Sequence, residues 1–409
     1  MRRLLAAVLL APLVVATPAS AAATLTLVPY GIDSSNQAGW WAPLETYVGG
    51  SQYAYLAFNE PAATAGNHKV AIARRDGSGN WTKLPVMNGA VQAEYVDDIG
   101  HNQPSIARDG SGRFHVFASM HNNVWRYFRS DVTGGAPQWH SGDMPDQGIG
   151  VTYPVLATAP NGDVYLLARL DGSGSRTGRL YRWNNAASTW SRIAIIGNSP
   201  SRAFYPDDLQ FDSAGNLHLL WEWSVYPSSG FRHELSYLRY TPATGAFSDH
   251  NGAAVTVPVT TATADIVQPM TAGEVYGTSD AIAVQSAKLT LDGTSPKVAY
   301  RYRTGATFAV YYAWISGGAW SREIAYTGSE TSAAIDITWH PVDGKRIYYA
   351  LTAGTDRAFM ATKPAASWVQ TSVAPGVPVS RLSVERNSAG SDVLYLVDLV
   401  NLRLYYGTN

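Results

Sequence analysis

Residues 97–130 read DDIGHNQPSIARDGSGRFHVFASMHNNVWRYFRS, and the rest of the chain repeats the pattern of this stretch. Its segment Phe114–Ala118 is rich in aromatic and β-branched residues and lacks glycine, which predicts a β-strand. A turn at Arg108–Gly112 precedes that strand and reverses the chain. We therefore expect His101 and His121 to lie on neighbouring antiparallel strands at one edge of a sheet, where loops carry function. The alternative is that both histidines are ordinary polar loop residues.

A unit of similar pattern recurs along the chain: a Gly-containing turn, an apolar strand, a strand rich in Tyr and Arg, and a small-residue turn. The aromatic residues that close this turn are Trp81, Trp139, Trp190, Phe247, Trp320 and Trp368. The apolar strands that align between units cover residues 52–58, 113–119, 163–169, 216–222, 297–303, 346–352 and 392–398. These seven units, each of roughly 50 residues, have the size of a four-stranded propeller blade.

The segment Thr24–Val28 predicts a lone strand that has no partner nearby in the sequence. It is the natural fourth strand of the last blade, because pairing it with the C-terminal strands would hide both edges. We therefore predict an all-β fold, a seven-bladed β-propeller of four-stranded antiparallel blades, in a single domain over residues 23–409. A pair of β-sandwiches is the competing architecture.

The N-terminus has the pattern of a cleavable signal peptide over residues 1–22. Met1–Arg3 is basic, Leu4–Val15 is apolar, and Ala19–Ala21 consists of small residues. The apolar run is too short to span a bilayer, and no later segment is apolar enough. We therefore expect a secreted, extracellular protein.

The composition argues against some classes of binding partner and favours another. The 409 residues include no cysteine, so a secreted form must be stabilised by its core rather than by disulfides. The net charge is −1 and no basic stripe is present, so neither nucleic acid nor a membrane surface is an expected partner. The 13 Trp and 24 Tyr suit strand packing and flat surfaces that bind sugar rings.

Two further residues are candidates for chemistry. Tyr153 lies in the segment Gly150–Pro154, just before the first strand of the third unit. Arg169 ends the apolar strand at 163–169 and precedes a Gly-rich turn. Its planar guanidinium is well placed there to bind a carboxylate. The alternative for Arg169 is a salt bridge at the edge of a blade.

Weaker candidates for substrate binding are Asn102, Asn122, His233, Tyr237 and Arg239. The two asparagines follow the two histidines and would either orient a sugar or cap turns. The other three lie on a predicted strand of the fourth unit that could face the same cleft. Histidine, asparagine and Asp98 occur close together, which leaves a metal site open, although their spacing matches no diagnostic ligand pattern.

The segment from His101 to Ser130 resembles the BNR-4 repeat family, which contains seven-bladed β-propeller polysaccharide lyases, among them ulvan lyases. In the family pattern an HN-x-P-S turn leads through D-x-x-G-x-x-H-V to a second M-H, followed by Y-x-R-S. A T-Y-P segment follows, with an Arg sixteen residues after its Tyr, and this chain has Thr152–Pro154 and Arg169. The W-x-W segment departs from the pattern, because relatives often carry Arg after it and this chain has Ser224.

The resemblance implies a polysaccharide lyase that cleaves a rhamnose–glucuronate linkage in an ulvan-like, uronic-acid-containing glycan by β-elimination. Arg169 would then neutralise the uronate carboxylate. One of His101 and His121 would act as the base and the other would bind the carboxylate, and the sequence leaves this choice open. Tyr153 would protonate the leaving oxygen, or would itself be the base in a syn elimination. This chemistry requires no cofactor. A structural calcium or zinc ion stays an alternative, and we expect a monomer.

Two other functions compete with the lyase. A propeller glycoside hydrolase of rhamnosidase type would cleave the same bond with water and leave no double bond. A non-catalytic glycan-binding propeller would use the same aromatic cleft, and changes at Tyr153 or at the histidines would then alter affinity alone.

Overall fold

The computed structural model describes residues 22–48, 52–98, 100–277, 282–304, 307–328 and 331–409. The predicted signal peptide, apart from Ala22, lies outside the described residues and stays a prediction. The described residues form an all-β protein that contains one short 3₁₀ helix, Ser141–Asp143. No helix in these ranges has the length and apolar character needed to cross a membrane.

In chain order the strands are β1 (Thr24–Leu27), β2 (Leu44–Val48), β3 (Gln52–Pro61), β4 (Asn67–Arg75), β5 (Trp81–Pro85), β6 (Met87–Asn88), β7 (Val91–Gln92), β8 (Glu94–Val96), β9 (Ser105–Arg108), β10 (Phe114–Phe117), β11 (His121–Asn123), β12 (Tyr127–Ser130), β13 (Pro137–Trp139), β14 (Val151–Thr158), β15 (Val164–Gly172), β16 (Ser175–Asn184), β17 (Thr189–Gly197), β18 (Arg202–Phe211), β19 (Leu217–Val225), β20 (His233–Thr241), β21 (Ala246–Ser248), β22 (Asp265–Gln268), β23 (Ile282–Asp292), β24 (Ser295–Thr304), β25 (Phe308–Ser316), β26 (Ala319–Tyr326), β27 (Thr331–His340), β28 (Gly344–Leu351), β29 (Ala358–Thr362), β30 (Val369–Ser372), β31 (Arg381–Arg386), β32 (Asp392–Asp398) and β33 (Arg403–Thr408).

The strands associate in antiparallel groups of four. The groups are β2–β5, then β9 with β10, β12 and β13, then β14–β17, β18–β21, β23–β26, β27–β30, and finally β31–β33 with β1. Short strands extend four of them, since β8 pairs with β4, β6 with β13, β11 with β14 and β22 with β20, and β7 pairs with β6. The predicted repeating unit, a four-stranded antiparallel group that contains one of the aligned apolar strands, is therefore confirmed.

The N-terminal strand completes the last group. β1 pairs antiparallel with β33, with Thr24 opposite Thr408 and Leu27 opposite Tyr405. The Leu25 side chain packs directly on the backbone of Gly407, since a Cβ added to that glycine would lie 2.9 Å from this side chain. The predicted partner of this strand is confirmed, and β1 covers an edge that β33 would otherwise expose.

The first strand of each group lies beside the first strands of two other groups. β2 contacts β9, β9 contacts β14, β14 contacts β18, β18 contacts β23, β23 contacts β27, β27 contacts β31, and β31 contacts β2. These strands enclose a cavity whose charged lining residues are Glu45, Asp208, Lys288, Asp336 and Glu385. Burial raises the pKa of Glu45 and that of Asp336 to about 7. The region between the first strands is therefore polar, and the apolar cores lie between the groups.

A buried Asp–His–Tyr arrangement stabilises the turn and strands of the second group. Asp109 Oδ1 accepts the backbone N–H of Ser111 at 2.9 Å, which closes the turn between β9 and β10. Asp109 Oδ2 lies 3.3 Å from Nε2 of His115, and Nδ1 of that histidine lies 2.8 Å from the Tyr127 hydroxyl. These contacts satisfy polar groups that are otherwise costly to bury.

The same arrangement in the fourth group accounts for Tyr237. Its hydroxyl lies 2.7 Å from Nδ1 of His218, and Nε2 of His218 lies 3.2 Å from Asp212 Oδ2. Tyr237 is 1% exposed and packs against Trp320. The structure therefore places Tyr237 in the core of its repeat, and that it binds substrate stays a prediction.

Phe204 on β18 packs directly on the backbone of two neighbouring strands. A Cβ added to Gly178 would lie 2.4 Å from the Phe204 ring, and one added to Gly197 would lie 2.6 Å from it. The ring also stacks on Trp221 with centroids 5.2 Å apart. Because side chains alternate across a strand, this packing directs the next residue, Tyr205, to the opposite face.

We expect Gly178→Ala to lower the free energy of unfolding by about 1–3 kcal/mol, because the added methyl group overpacks the Phe204 contact. The measurement is thermal unfolding followed by tryptophan fluorescence. Gly142→Ala is the control, since a Cβ there would meet nothing within 4 Å. Equal unfolding midpoints for the two variants would contradict this account of the packing.

Deletion of residues 24–27 should lower the free energy of unfolding by about 2 kcal/mol or more, because Leu25 loses its packing and β33 becomes an edge. A synthetic peptide of residues 22–30 added to the deleted protein should raise its unfolding midpoint. The same peptide with Leu25→Asp serves as the control. If neither peptide or both peptides raise the midpoint, β1 does not act by specific pairing.

Candidate active site

His101 and His121 form a stacked pair. Their ring centroids lie 3.6 Å apart with an interplanar angle of 9°. His101 lies in the turn before β9, whereas His121 begins β11, which pairs with Thr152 of β14 in the next group. The prediction that the two histidines lie close together is confirmed. The prediction that they lie on neighbouring strands of one sheet is wrong. The chain turns sharply at Ser119, where φ is +56°, and β11 leaves the sheet that holds β10.

Asp98 joins the two imidazoles. Its Oδ1 lies 3.0 Å from Nδ1 of His101, and its Oδ2 accepts a hydrogen bond from Nδ1 of His121. Burial raises the pKa of Asp98, but the hydrogen bonds from the two histidines outweigh it and hold the pKa below its ordinary value. The ionised carboxylate fixes the proton of each neutral ring on Nδ1 and leaves each Nε2 as an acceptor.

Tyr153 completes a chain of hydrogen bonds. Its hydroxyl lies 3.0 Å from Nε2 of His101 and can donate to it. Its φ is +56°, a left-handed conformation that is strained for an aromatic residue, and the register of β14 shifts between Thr152 and Val155. This bulge turns the Tyr153 ring toward the histidines.

Burial sets the protonation states of this chain. It raises the pKa of Tyr153 above the ordinary value, against the opposing charges of Arg232 and Arg169. It lowers the pKa of His101, although the hydrogen bond to Asp98 acts in the opposite direction. At neutral pH the site therefore contains a protonated phenol that faces a neutral imidazole.

Arg169 packs on the ring of Tyr153. Its position opposite Thr152 in the ladder of β14 and β15 brings its guanidinium carbon 4.7 Å from the Tyr153 ring. It is 1% exposed, and its Nε and Nη1 have no hydrogen-bond partner among the described residues. A buried guanidinium with unused donors is suited to receive an anion.

The sequence reasoning missed three aromatic residues of the site. The Tyr205 ring lies 5.3 Å from Tyr153 and 4.7 Å from the guanidinium carbon of Arg169. Trp41 packs on Tyr153 at 5.6 Å, and Trp40 packs on Trp41 at 5.9 Å. Tyr205 had a signal in the sequence, because the pair Tyr-Pro occupies the same place in the third and fourth units.

A second arginine, Arg232, was also missed. It is 4% exposed and its guanidinium carbon lies 4.3 Å from the Tyr205 ring and 6.0 Å from the Tyr153 ring. It precedes β20, and no pattern in the sequence distinguishes it from a salt-bridge arginine. Only the packing of neighbouring groups brings it to Tyr153.

The remaining predicted substrate-binding residues make other contacts. The Asn102 side chain accepts the backbone N–H of Asp98, and the backbone N–H of Asn122 donates to Thr152 Oγ1 at 3.0 Å, so both asparagines brace the loops that carry the histidines. His233 is 1% exposed, with its Nδ1 2.5 Å from Glu274. Arg239 donates from Nε to Ser248 Oγ at 3.0 Å. None of these contacts involves the histidine pair.

Among the described residues, two groups of side chains could hold a metal ion. Asp98, His101 and His121 offer ligand atoms within 4.8 Å of one another, and so do the residues Asp33, His68 and Asp97. Two imidazole nitrogens with a carboxylate oxygen form a donor set that zinc accepts, so the first group fits the predicted alternative of a structural metal ion.

Comparisons with known proteins agree with the observed fold. Two structures described as a new family of polysaccharide lyase, PL25 ulvan lyase, each share 15% identity with this chain at a TM-score of 0.67. One covers 94% of this chain and 96% of its own; the other, bound to -[GlcA(1-4)Rha3S]-, covers 93% and 94%. A crystal structure of polysaccharide lyase Uly1 shares 14% identity at a TM-score of 0.61 over 94% of this chain and 90% of its own. Identities this low show a common fold.

Comparison of the sequence with family profiles identifies the family of this chain. No curated protein matches the chain. The profile of the family described as BNR repeat-containing family member matches residues 51–326, which is well over half of the chain and includes the paired histidines, Tyr153, Arg169 and Tyr205. The chain therefore belongs to the BNR repeat-containing family.

Proposed function

We propose that this protein is a polysaccharide lyase that cleaves a uronic-acid-containing glycan by β-elimination, with a rhamnose–glucuronate linkage of the ulvan type as its substrate. The observation that carries the proposal is the Tyr153–His101–Asp98 hydrogen-bond chain beside a buried Arg169 whose Nε and Nη1 have no hydrogen-bond partner among the described residues. The common fold with ulvan lyase structures, one of them bound to a glucuronate–rhamnose sulfate unit, supports the same reaction.

The proposal includes a seven-bladed propeller that forms one domain. Its support is the succession of four-stranded groups, whose first strands contact one another in order from β2 to β31 and from β31 back to β2. In such a ring the site lies at one end of the first strands of the second to fourth groups, where loops from several blades converge.

β-Elimination needs a base, an acid and a cation in this site. The base removes the proton on C5 of the uronate, the C5–H electron pair forms the C4–C5 double bond, and the C4–O4 bond breaks with its electrons on O4. The C5 proton is weakly acidic while the carboxylate bears its full charge, so Arg169 must draw charge into that carboxylate in the transition state.

The geometry favours His121 as the base. Nε2 of His101 is occupied by the Tyr153 hydroxyl, whereas no described residue hydrogen-bonds Nε2 of His121, and the side chain of His121 is 37% exposed against 23% for His101. Tyr153 then donates its proton to O4 as the bond breaks. His121 then releases the proton taken from C5 to solvent, Tyr153 takes up a proton from solvent, and the product is a 4,5-unsaturated uronate.

Wild-type protein incubated with ulvan, gum arabic or a glucuronan should give an increase in ultraviolet absorbance from the new C4–C5 double bond. Tyr153→Phe should lower kcat/KM by about 10²–10⁴-fold, because the leaving oxygen loses its proton donor. Tyr240→Phe is the control, since this tyrosine packs on Phe247 outside the site. Release of free rhamnose without a double bond would instead identify a hydrolase. Binding without either product would identify a glycan-binding protein.

The pH dependence of kcat/KM provides a second test. Protonation of Nε2 of His101 removes the acceptor that orients the Tyr153 hydroxyl, so His101 contributes an acidic limb. Asp98 raises the pKa of His101 by its hydrogen bond, so Asp98→Asn should move this limb to lower pH. Burial holds the pKa of Tyr153 above 10.0, so the wild type should show no alkaline limb from this group up to about pH 10. Asp131→Asn is the control, because Asp131 contacts a surface histidine, His140. An acidic limb that moves equally in both variants would contradict the assignment.

A further inference from the structure

Arg232 is held rigidly at the junction of two groups of strands. Its backbone carbonyl accepts the N–H of Val284 at 2.9 Å, which ties the start of β20 to β23. Ser224 Oγ donates at 2.9 Å to the carbonyl of the preceding residue, Phe231. The guanidinium is therefore positioned by main-chain contacts on both sides.

The guanidinium of Arg232 lies on the same aromatic residues that Arg169 contacts. Its carbon is 4.3 Å from the Tyr205 ring and 4.9 Å from the Trp40 ring, while that of Arg169 is 4.7 Å from the rings of both Tyr153 and Tyr205. Two buried cations therefore converge on one pair of tyrosines. Like charges placed together in a buried site are stabilised by an anion that binds both.

The donors of Arg232 are not used by its carboxylate neighbour. Its Nε lies 3.7 Å from Glu222 Oε2, which is longer than a hydrogen bond, and its Nε and Nη1 have no hydrogen-bond partner in the described ranges. Neither oxygen of Glu222 has such a partner there. Leaving buried polar atoms unpaired costs stability, and a functional site is the usual place where a fold carries that cost.

The neighbouring carboxyl groups of Glu222 and Asp207 do not neutralise the positive charge of Arg232. Glu222 is fully buried, and burial raises its pKa to about 7 despite the nearby charges of Arg232 and Arg301. Burial and the neighbouring Glu222 also raise the pKa of Asp207. Glu222 is therefore partly protonated at neutral pH, and the positive charge of Arg232 remains available on the side that faces the tyrosines.

We propose that Arg232 is a second anion-binding residue of the site, which acts with Arg169 to hold the uronate carboxylate from the Tyr205 side. This inference rests on the proposed function. A carboxylate has two oxygens with lone pairs for four donors, so two guanidinium groups can bind it without competition. Both cations then stabilise the charge that enters the carboxylate when the C5 proton leaves.

The test compares acidic and neutral forms of one substrate. Arg232→Met should lower kcat/KM on ulvan by about 10²-fold, as expected for the loss of one transition-state donor group. On ulvan whose uronates are methyl esters, the same variant should lose less than about threefold, because a neutral ester does not need the second cation. A loss of equal size on both polymers would show a structural role and overturn the proposal.

Additional variants separate folding from binding. Arg232→Met leaves Glu222 without its cation, so the double variant Arg232→Met/Glu222→Gln should keep the selective loss on the acidic polymer while it restores the unfolding midpoint. Arg232→Lys keeps the charge without the planar fork and should lose less than Arg232→Met. Arg192→Met, an exposed arginine bound to Asp146, is the matched control and should retain both activities.

Calorimetric titration with sodium glucuronate, with glucose as the neutral probe, distinguishes this proposal from the proposed function. If the wild type gives no unsaturated product, the proposed function fails, and glucuronate binding still tests Arg232. Affinity for glucuronate that falls at least tenfold in Arg232→Met and stays unchanged in Arg192→Met supports anion binding. Equal affinity in both variants overturns it.

Discussion

The site depends on one carboxylate, Asp98, that accepts hydrogen bonds from Nδ1 of two stacked imidazoles. The two rings are stacked with their centroids 3.6 Å apart, so the single carboxylate contacts both at once. Asp98 also fixes the tautomer of each ring, which leaves Nε2 of His101 for Tyr153 and Nε2 of His121 toward solvent. The different tasks proposed for two chemically identical side chains follow from this single constraint.

The other half of the site is positively charged, in contrast to the carboxylate of Asp98. Arg169 and Arg232 are almost completely buried, and each leaves two nitrogen atoms without hydrogen bonds in the described part of the chain. These unpaired donors lower the stability of the folded state, and the left-handed backbone conformation of Tyr153 lowers it further. Elsewhere the repeats contain satisfied buried polar groups, as the Asp109–His115 contact illustrates. At the site, a bound substrate can pair the unused donors of the two arginines.

The repeats explain why several of the predicted residues lie in the core of a group or brace its loops. Tyr237 and His218 reproduce, two groups later, the positions of Tyr127 and His115, so their polarity belongs to the turn that each Asp closes. The asparagines after the two histidines brace loops in the same manner. In a repeated fold, a residue type that recurs at the same position in several units usually serves packing.

Local sequence was sufficient for the elements and for part of the site. Alternating apolar residues, Asp-Gly turns and closing tryptophans determined the four-stranded units, because strands and tight turns depend on near neighbours. The resemblance to the family pattern singled out Tyr153 and Arg169, and these two residues come together because both lie on paired strands of one unit. Only the tertiary structure decided that Arg232, Tyr205 and Trp41 join them and that β11 leaves its own sheet. These contacts cross from one unit to another, and the distance between units is set by packing such as that of Phe204 on Gly178, which no local pattern encodes.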